Sequence, residues 1–145
     1  MAKRKKILVL GVTGQDGSFI AKYLLKKNFK VHGLVRKSAT GNLNNIKNIL
    51  NNPNFYIHHG DLLDLISIQK LVKDLKPDEI YNFADQDHVR WSFEIPAYSF
   101  DVTGSSVIKI LEIIKNYSPK SKFFQPLSSN IFGNSKKNKQ DENEK

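Results

Sequence analysis

Five residues, Lys6-Ile7-Leu8-Val9-Leu10, run directly into Gly11-Val12-Thr13-Gly14-Gln15-Asp16-Gly17, and no other stretch restricts the fold as tightly. The run is short, branched and almost continuously apolar, the composition of a central parallel strand buried on both faces. Phe19, Ile20, Ala21, Tyr23, Leu24 and Leu25 then recur at helical spacing, so strand becomes helix within the glycines. Gly11 suits a tight turn, Gly14 a close approach of backbone to a diphosphate, and Gly17 tight packing of helix on strand. Amides without partners at the helix start would face the phosphates, and the helix dipole favours negative charge there. Gly11, Val12, Thr13, Gly14, Gln15, Asp16 and Gly17 are therefore the candidate phosphate-binding segment of a nucleotide site.

The next strand, Lys30 to Arg36, ends in the residues that choose the cofactor. An acidic side chain about twenty residues beyond the glycines would hold the ribose hydroxyls of NAD. This strand ends instead in Arg36-Lys37-Ser38, which suits a 2′-phosphate, so the expected cofactor is NADP. Asn42 to Asn51 spaces Leu43, Ile46, Ile49 and Leu50 as an amphipathic helix of modest propensity, closed by Pro53. Asn54 to Leu62 reads as the third strand and the loop beyond it. Its adjacent His58 and His59 point to opposite faces, which argues against a shared metal.

Asp64 suits the N-cap of a helix from Leu65 to Leu75, which Lys76-Pro77-Asp78 stops. Glu79 to Ala84 is the fourth strand, a long helix is expected from Ser99 to Asn116, and Lys122 begins the fifth strand. Strands and helices alternate throughout. The simplest architecture is an α/β fold with a doubly wound parallel sheet in the order 3-2-1-4-5.

A chain of 145 residues with 39% hydrophobic content is one domain with a real core. It has no cysteine, which excludes disulfides and thiolate chemistry. No apolar run reaches the roughly 18 residues of a membrane span, and the basic Met1 to Lys6 segment leads into a strand, so no membrane partner and a cytoplasmic setting are expected. The net charge of +9 is spread over termini and helix faces without an aromatic-interleaved patch. That pattern argues for solvated surface and against a nucleic-acid partner.

The Gly-x-x-Gly-x-x-Gly spacing resembles the extended short-chain dehydrogenase/reductase family. The string from Gly11 to Ser18 is similar to the start of that family's GDP-mannose 4,6-dehydratase branch. The resemblance implies a Rossmann-like sheet, NADP as cofactor, GDP-mannose as substrate, and a homo-oligomer in the complete enzyme. Arg36, Lys37 and Ser38 match a cofactor-contacting Arg-Arg-Ser. Gly60-Asp61-Leu62-Leu63-Asp64 resembles Gly-Asp-Leu-x-Asp, which implies that Asp61 and Leu62 hold the adenine. Asn82 to Val89 resembles Asn-Leu-Ala-Ala-Gln-Ser-His-Val, which implies cofactor contacts at Phe83, Ala84, Asp85, Gln86 and Asp87, and the resemblance adds Tyr98. Asp85 and Asp87 depart from the pattern by bringing two carboxylates towards a phosphate site, where like charges repel. His88 reads as a structural polar residue.

Phe123 to Gly133 is similar to the family's Phe-Tyr-Gln-Ala-Ser-Thr-Ser-Glu-Leu-Tyr-Gly. Ser128 then stands for the catalytic threonine and keeps a hydroxyl, while Asn130 stands for the catalytic glutamate. An amide does not accept and return a proton at neutral pH, so the acid/base step loses its carrier. No Tyr-x-x-x-Lys follows Ser128, and the expectation is an N-terminal cofactor-binding part, truncated before the substrate domain and inactive alone. Residues 1–133 are read as an NADP-binding Rossmann domain and 134–145 as a polar, flexible tail. Two alternatives stay open: another nucleotide-sugar epimerase or reductase of the same family, which would explain Asn130, and a non-catalytic NADP-binding protein.

Overall fold

A computed structural model describes residues 4–133, 139–141 and 143. Five parallel strands form one sheet in the order β3-β2-β1-β4-β5: β1 (Lys6–Leu10), β2 (Lys30–Val35), β3 (Phe55–His59), β4 (Glu79–Asn82) and β5 (Lys122–Phe124). The order matches the sequence reading. β1 lies at the centre because it alone is apolar at every position from Ile7 to Leu10, and each of these four side chains is fully buried. Burial of this kind contributes about 1.5–3 kcal/mol per large side chain.

Alternation along the strands separates two cores. Leu8, Leu10, Leu34 and Ile80 face α2 (Leu65–Leu75) and α5 (Ser106–Tyr117), where they meet Ile68, Val72, Ile110 and Ile114. Ile7, Val9, Val31 and Val35 face α1 (Gln15–Lys26) and the Asn44–Ile46 segment, where they meet Ala21, Leu24 and Ile46. Asp64 caps α2 by accepting from the Ser67 amide at 3.3 Å, and the helix ends at Lys76, left-handed at φ 45° ahead of Pro77. Both ends agree with the sequence reading.

Two helices differ from expectation. The amphipathic α-helix expected over 42–51 is a short 3-10 turn, Asn44–Ile46, followed by further turns. Its amides bond three residues back, Ile46 to Leu43 at 3.0 Å and Ile49 to Ile46 at 2.9 Å. Asparagine side chains compete for backbone partners here, Asn42 reaching the Arg36 carbonyl and Asn45 the Thr13 carbonyl, and such competition disfavours an α-helix.

The long helix expected from Ser99 is preceded by α3 (Val89–Glu94) and begins early as α4 (Pro96–Phe100), because proline is suited to a first helical turn. It then widens into a π-helical turn at Asp101–Ser105 before α5. None of the described helices is long and apolar enough to cross a membrane. The flexible tail expected over 134–145 lies mostly outside the described residues.

Candidate functional site: the cleft at the carboxyl end of the sheet

Strand order reverses between β2 and β4 on either side of β1, and the carboxyl ends of these strands open onto a cleft, the place where such sheets bind ligands. The chain leaves β1 through Gly11, which has φ 74° and lies against the β4 exit: a Cβ there would sit 2.6 Å from the Ala84 nitrogen and the Phe83 carbonyl carbon. Gly14 donates to the Gly11 carbonyl at 3.0 Å and forms the N-cap of α1, accepting from the Ser18 amide at 3.0 Å. A Cβ on Gly17 would run into the Gly11 carbonyl, so the first turn of α1 can lie directly on the turn before it. The opening amides of α1 have no intrahelical partner, which makes this turn an anion cradle.

One part of the cleft, about 270 Å³, is lined by Gly11, Thr13, Gly14, Arg36, Asp61, Leu62, Phe83, Ala84, Asp85 and Tyr98. These are residues singled out from the sequence in five separate segments. Asn42, not among them, joins the lining. Arg36 Nη1 donates to the Tyr98 hydroxyl at 3.0 Å, and Asn42 donates to the Arg36 carbonyl at 3.1 Å. Lys37 and Ser38 are exposed and do not line this part. Val12 is fully buried in the core under α1, so its side chain packs and only its backbone belongs to the loop.

The adjoining part, about 700 Å³, is lined by Gln15, Asp16, Gly17, Gln86, Asp87, His88 and Ser128, and shares Gly14, Phe83 and Asp85 with the first. Asp85 accepts from the Gln86 amide at 2.7 Å and from the Thr103 hydroxyl at 2.5 Å, so its carboxylate ties the β4 loop to the π turn. The Gln86 side chain bonds Ser99 at 2.9 Å and the His88 backbone, and the His88 ring lies 5.5 Å from that of Trp91. Buried Asn82 donates to Gln125 at 2.7 Å and joins the ends of β4 and β5. The backbone of Asn130 lies in a 3-10 turn, Ser129–Phe132. Its side chain lies outside the described set.

Sequence reasoning missed Asn42, Asn45 and Thr103. The first two sit in an asparagine-rich run whose turn chemistry was the available signal. Thr103 carries none, since its partner is Asp85, far away in the chain.

A second polar cluster lies outside the cleft. His32 on β2 stacks on Tyr56 at 4.7 Å, and its Nδ1 is 2.9 Å from His58 Nε2. His32 is 9% exposed, and its Nε2 is buried without a partner among the described residues. Burial lowers its pKa from 6.5 to about 4, helped by the nearby charges of His58, Lys6 and Lys30. Burial, then His59, also lowers His58. Among the described residues no three His, Cys, Asp or Glu side chains are gathered where they could hold a metal ion.

The GDP-mannose 4,6 dehydratase family matches residues 8–145 of the chain. GDP-mannose 4,6-dehydratase of Yersinia enterocolitica is 41% identical over 136 residues, which is 89% of this chain and 37% of that protein. The chain thus spans under two-fifths of this curated relative. The dTDP-glucose 4,6-dehydratase of Bacillus anthracis, solved in complex with NAD, superposes with a TM-score of 0.80 at 27% identity, over 97% of this chain and 43% of that one. The UDP-Glc/GlcNAc 4-epimerase of Campylobacter jejuni superposes with a TM-score of 0.86 at 21% identity, over 97% of this chain and 42% of that one. At that identity the likeness shows the shared fold alone.

Proposed function

Because the chain belongs to the GDP-mannose 4,6-dehydratase family, we propose that it supplies the NADP-binding part of an enzyme that dehydrates GDP-mannose to its 4-keto-6-deoxy derivative. One observation carries the reading: the glycine turn, Arg36, and the Asp61-Leu62 pair line a single cleft. The cleft fits the cofactor, because a Cβ on Gly11 or Gly17 would collide with backbone and the glycines leave the amide turn open. Residues 1–133 form the cofactor domain in this reading. Gly14, Gln15, Asp16 and Gly17 would hold the diphosphate, Asp61 and Leu62 the adenine, and Arg36 the 2′-phosphate that distinguishes NADP from NAD. Lys37 and Ser38 would flank that phosphate. Phe83, Ala84, Gln86 and Asp87 would border the diphosphate and the nicotinamide ribose.

When bound, the dinucleotide supplies a hydride acceptor and donor for sugar oxidation at C4 and reduction at C6. Ser128 would bind the C4 oxygen through its hydroxyl. Asn130 would hydrogen-bond near C5 and C6 without carrying a proton, since an amide neither accepts nor releases one at neutral pH. The family's homo-oligomeric assembly and a cytoplasmic setting belong to the same proposal.

Incubated with GDP-mannose and NADP, the 145-residue chain is expected to yield no 4-keto-6-deoxy product by mass spectrometry. Product formation would overturn this catalytic silence. Asn130 favours a second reading, a nucleotide-sugar epimerase or reductase, neither of which needs the glutamate. Fusing the chain to the part of the Yersinia relative that it does not match distinguishes the two. Dehydration of GDP-mannose that rises by about 100-fold with Asn130→Glu supports the first reading. Turnover of another sugar nucleotide, indifferent to that change, supports the second.

A further inference from the structure

We propose that Tyr98 is a positioning residue that sets the preference of the cleft for NADP by holding the Arg36 guanidinium. The inference rests on the cofactor reading above and extends it to Tyr98, which the family resemblance offers only as a cofactor contact. Arg36 leaves the carboxyl end of β2 and is exposed, so an untethered side chain would sample solvent rather than one place over the cleft. Immobilising so long a side chain costs rotamer entropy, and a tether present before binding lowers the part charged to the cofactor.

The tether has two ends. Tyr98 accepts from Arg36 Nη1 at 3.0 Å, and Asn42 donates to the Arg36 carbonyl at 3.1 Å. The tyrosine makes a rigid post. Its ring packs against the core cluster that contains Leu10, Leu34, Leu62 and Val102, while its hydroxyl stands at the cleft beside Arg36.

The chemistry of the pair suits a phosphate monoester. A guanidinium carries five donors and spends one on Tyr98, and the remaining four can meet a 2′-phosphate bidentately. The tyrosine hydroxyl accepts from Arg36 and keeps its own proton to donate. NAD offers a ribose hydroxyl in place of the phosphate and gains far less from an aligned guanidinium. Held this way, Arg36 discriminates between the two dinucleotides, and a fault in its tether should appear in their ratio rather than in both affinities equally.

Calorimetric titration of the wild-type chain, Tyr98→Phe, Arg36→Ala and the double variant with NADP and NAD tests this. Tyr98→Phe is expected to weaken NADP about 5-fold and NAD less than about 2-fold, with an unchanged thermal midpoint. In the Arg36→Ala background the same change should alter NADP affinity less than about 2-fold, because the tether then has nothing to hold. Equal weakening of both dinucleotides would make Tyr98 a packing surface for the adenosine and overturn the inference. So would no change, or a gain in NADP affinity, which would make the contact a latch the cofactor must break. Wild-type chain that binds neither dinucleotide, or prefers NAD, would overturn the cofactor reading and this inference with it; a faulty inference alone leaves wild-type preference for NADP intact.

Discussion

Gly11→Ala is expected to abolish dinucleotide binding and to lower the unfolding free energy by about 3 kcal/mol. Two costs add. Alanine at φ 74° pays for a left-handed backbone, and its Cβ falls 2.6 Å from the Ala84 nitrogen and the Phe83 carbonyl, backbone atoms that cannot swing aside. The exit of β1 must therefore part from the exit of β4, which opens the cleft where the amide turn forms. Gly41→Ala separates the two costs. Gly41 has φ 78° with no atom within 4 Å of an added Cβ, so that variant should lose only about 1 kcal/mol and keep its binding. Urea denaturation and titration of both variants decide the matter; Gly11→Ala no worse than Gly41→Ala would show that the close approach at the β1 exit is not needed.

Acid should loosen the sheet through His32, well before general acid unfolding. In the folded chain His32 is held neutral, with its pKa lowered from 6.5 to about 4 by burial first and then by His58, Lys6 and Lys30. A depressed pKa means that the unfolded chain binds the proton first. The stability present above pH 6.5 is therefore lost as pH falls to about 4. The loss should be about 2 kcal/mol, after discounting the full linkage for solvent reaching the pair.

His58, lowered in the same direction, adds to the slope. It sits on β3 with His59, while Lys70 and Asp74 of α2 line the adjoining hollow. Glu79 adds its own loss from the acid end of this window downwards, because the hydrogen bond from Lys5 lowers its carboxyl from 4.5. His32→Phe should keep the stack on Tyr56 and flatten most of the dependence between pH 6.5 and about 4. A wild-type chain of constant stability over that range would contradict the account, as would a variant with an undiminished slope.

The sheet was legible because its signals are local and redundant. β1 is apolar without interruption, α2 carries both its cap and its stop, and alternating elements allow few orders other than 3-2-1-4-5. The 42–51 segment misled because Leu43, Ile46 and Ile49 recur every third residue, a spacing that fits a 3-10 turn as well as one side of an α-helix. Asparagine bonding to Arg36 and Thr13 decides between them, and those partners lie in other segments.

The π turn was invisible for a similar reason. Its Thr103 bond, to Asp85, exists only once the β4 loop is in place. In the cleft, the glycines and Arg36 announce themselves by type and spacing. Asp85 did not: read as a charge facing phosphate, it is also a hydrogen-bond anchor for the loop. The histidine pair needed the register, which sets Tyr56 opposite His32 and brings His58 within reach on the same face.

The account stands on the proposal that the cleft takes NADP, and calorimetric titration of the chain with NADP, with NAD as control, tests it most directly. NADP binding at least about 10-fold tighter than NAD is the predicted result, since Arg36, which lines the cleft, would meet a phosphate in one ligand and a hydroxyl in the other. Binding of neither dinucleotide, or a preference for NAD, would contradict it.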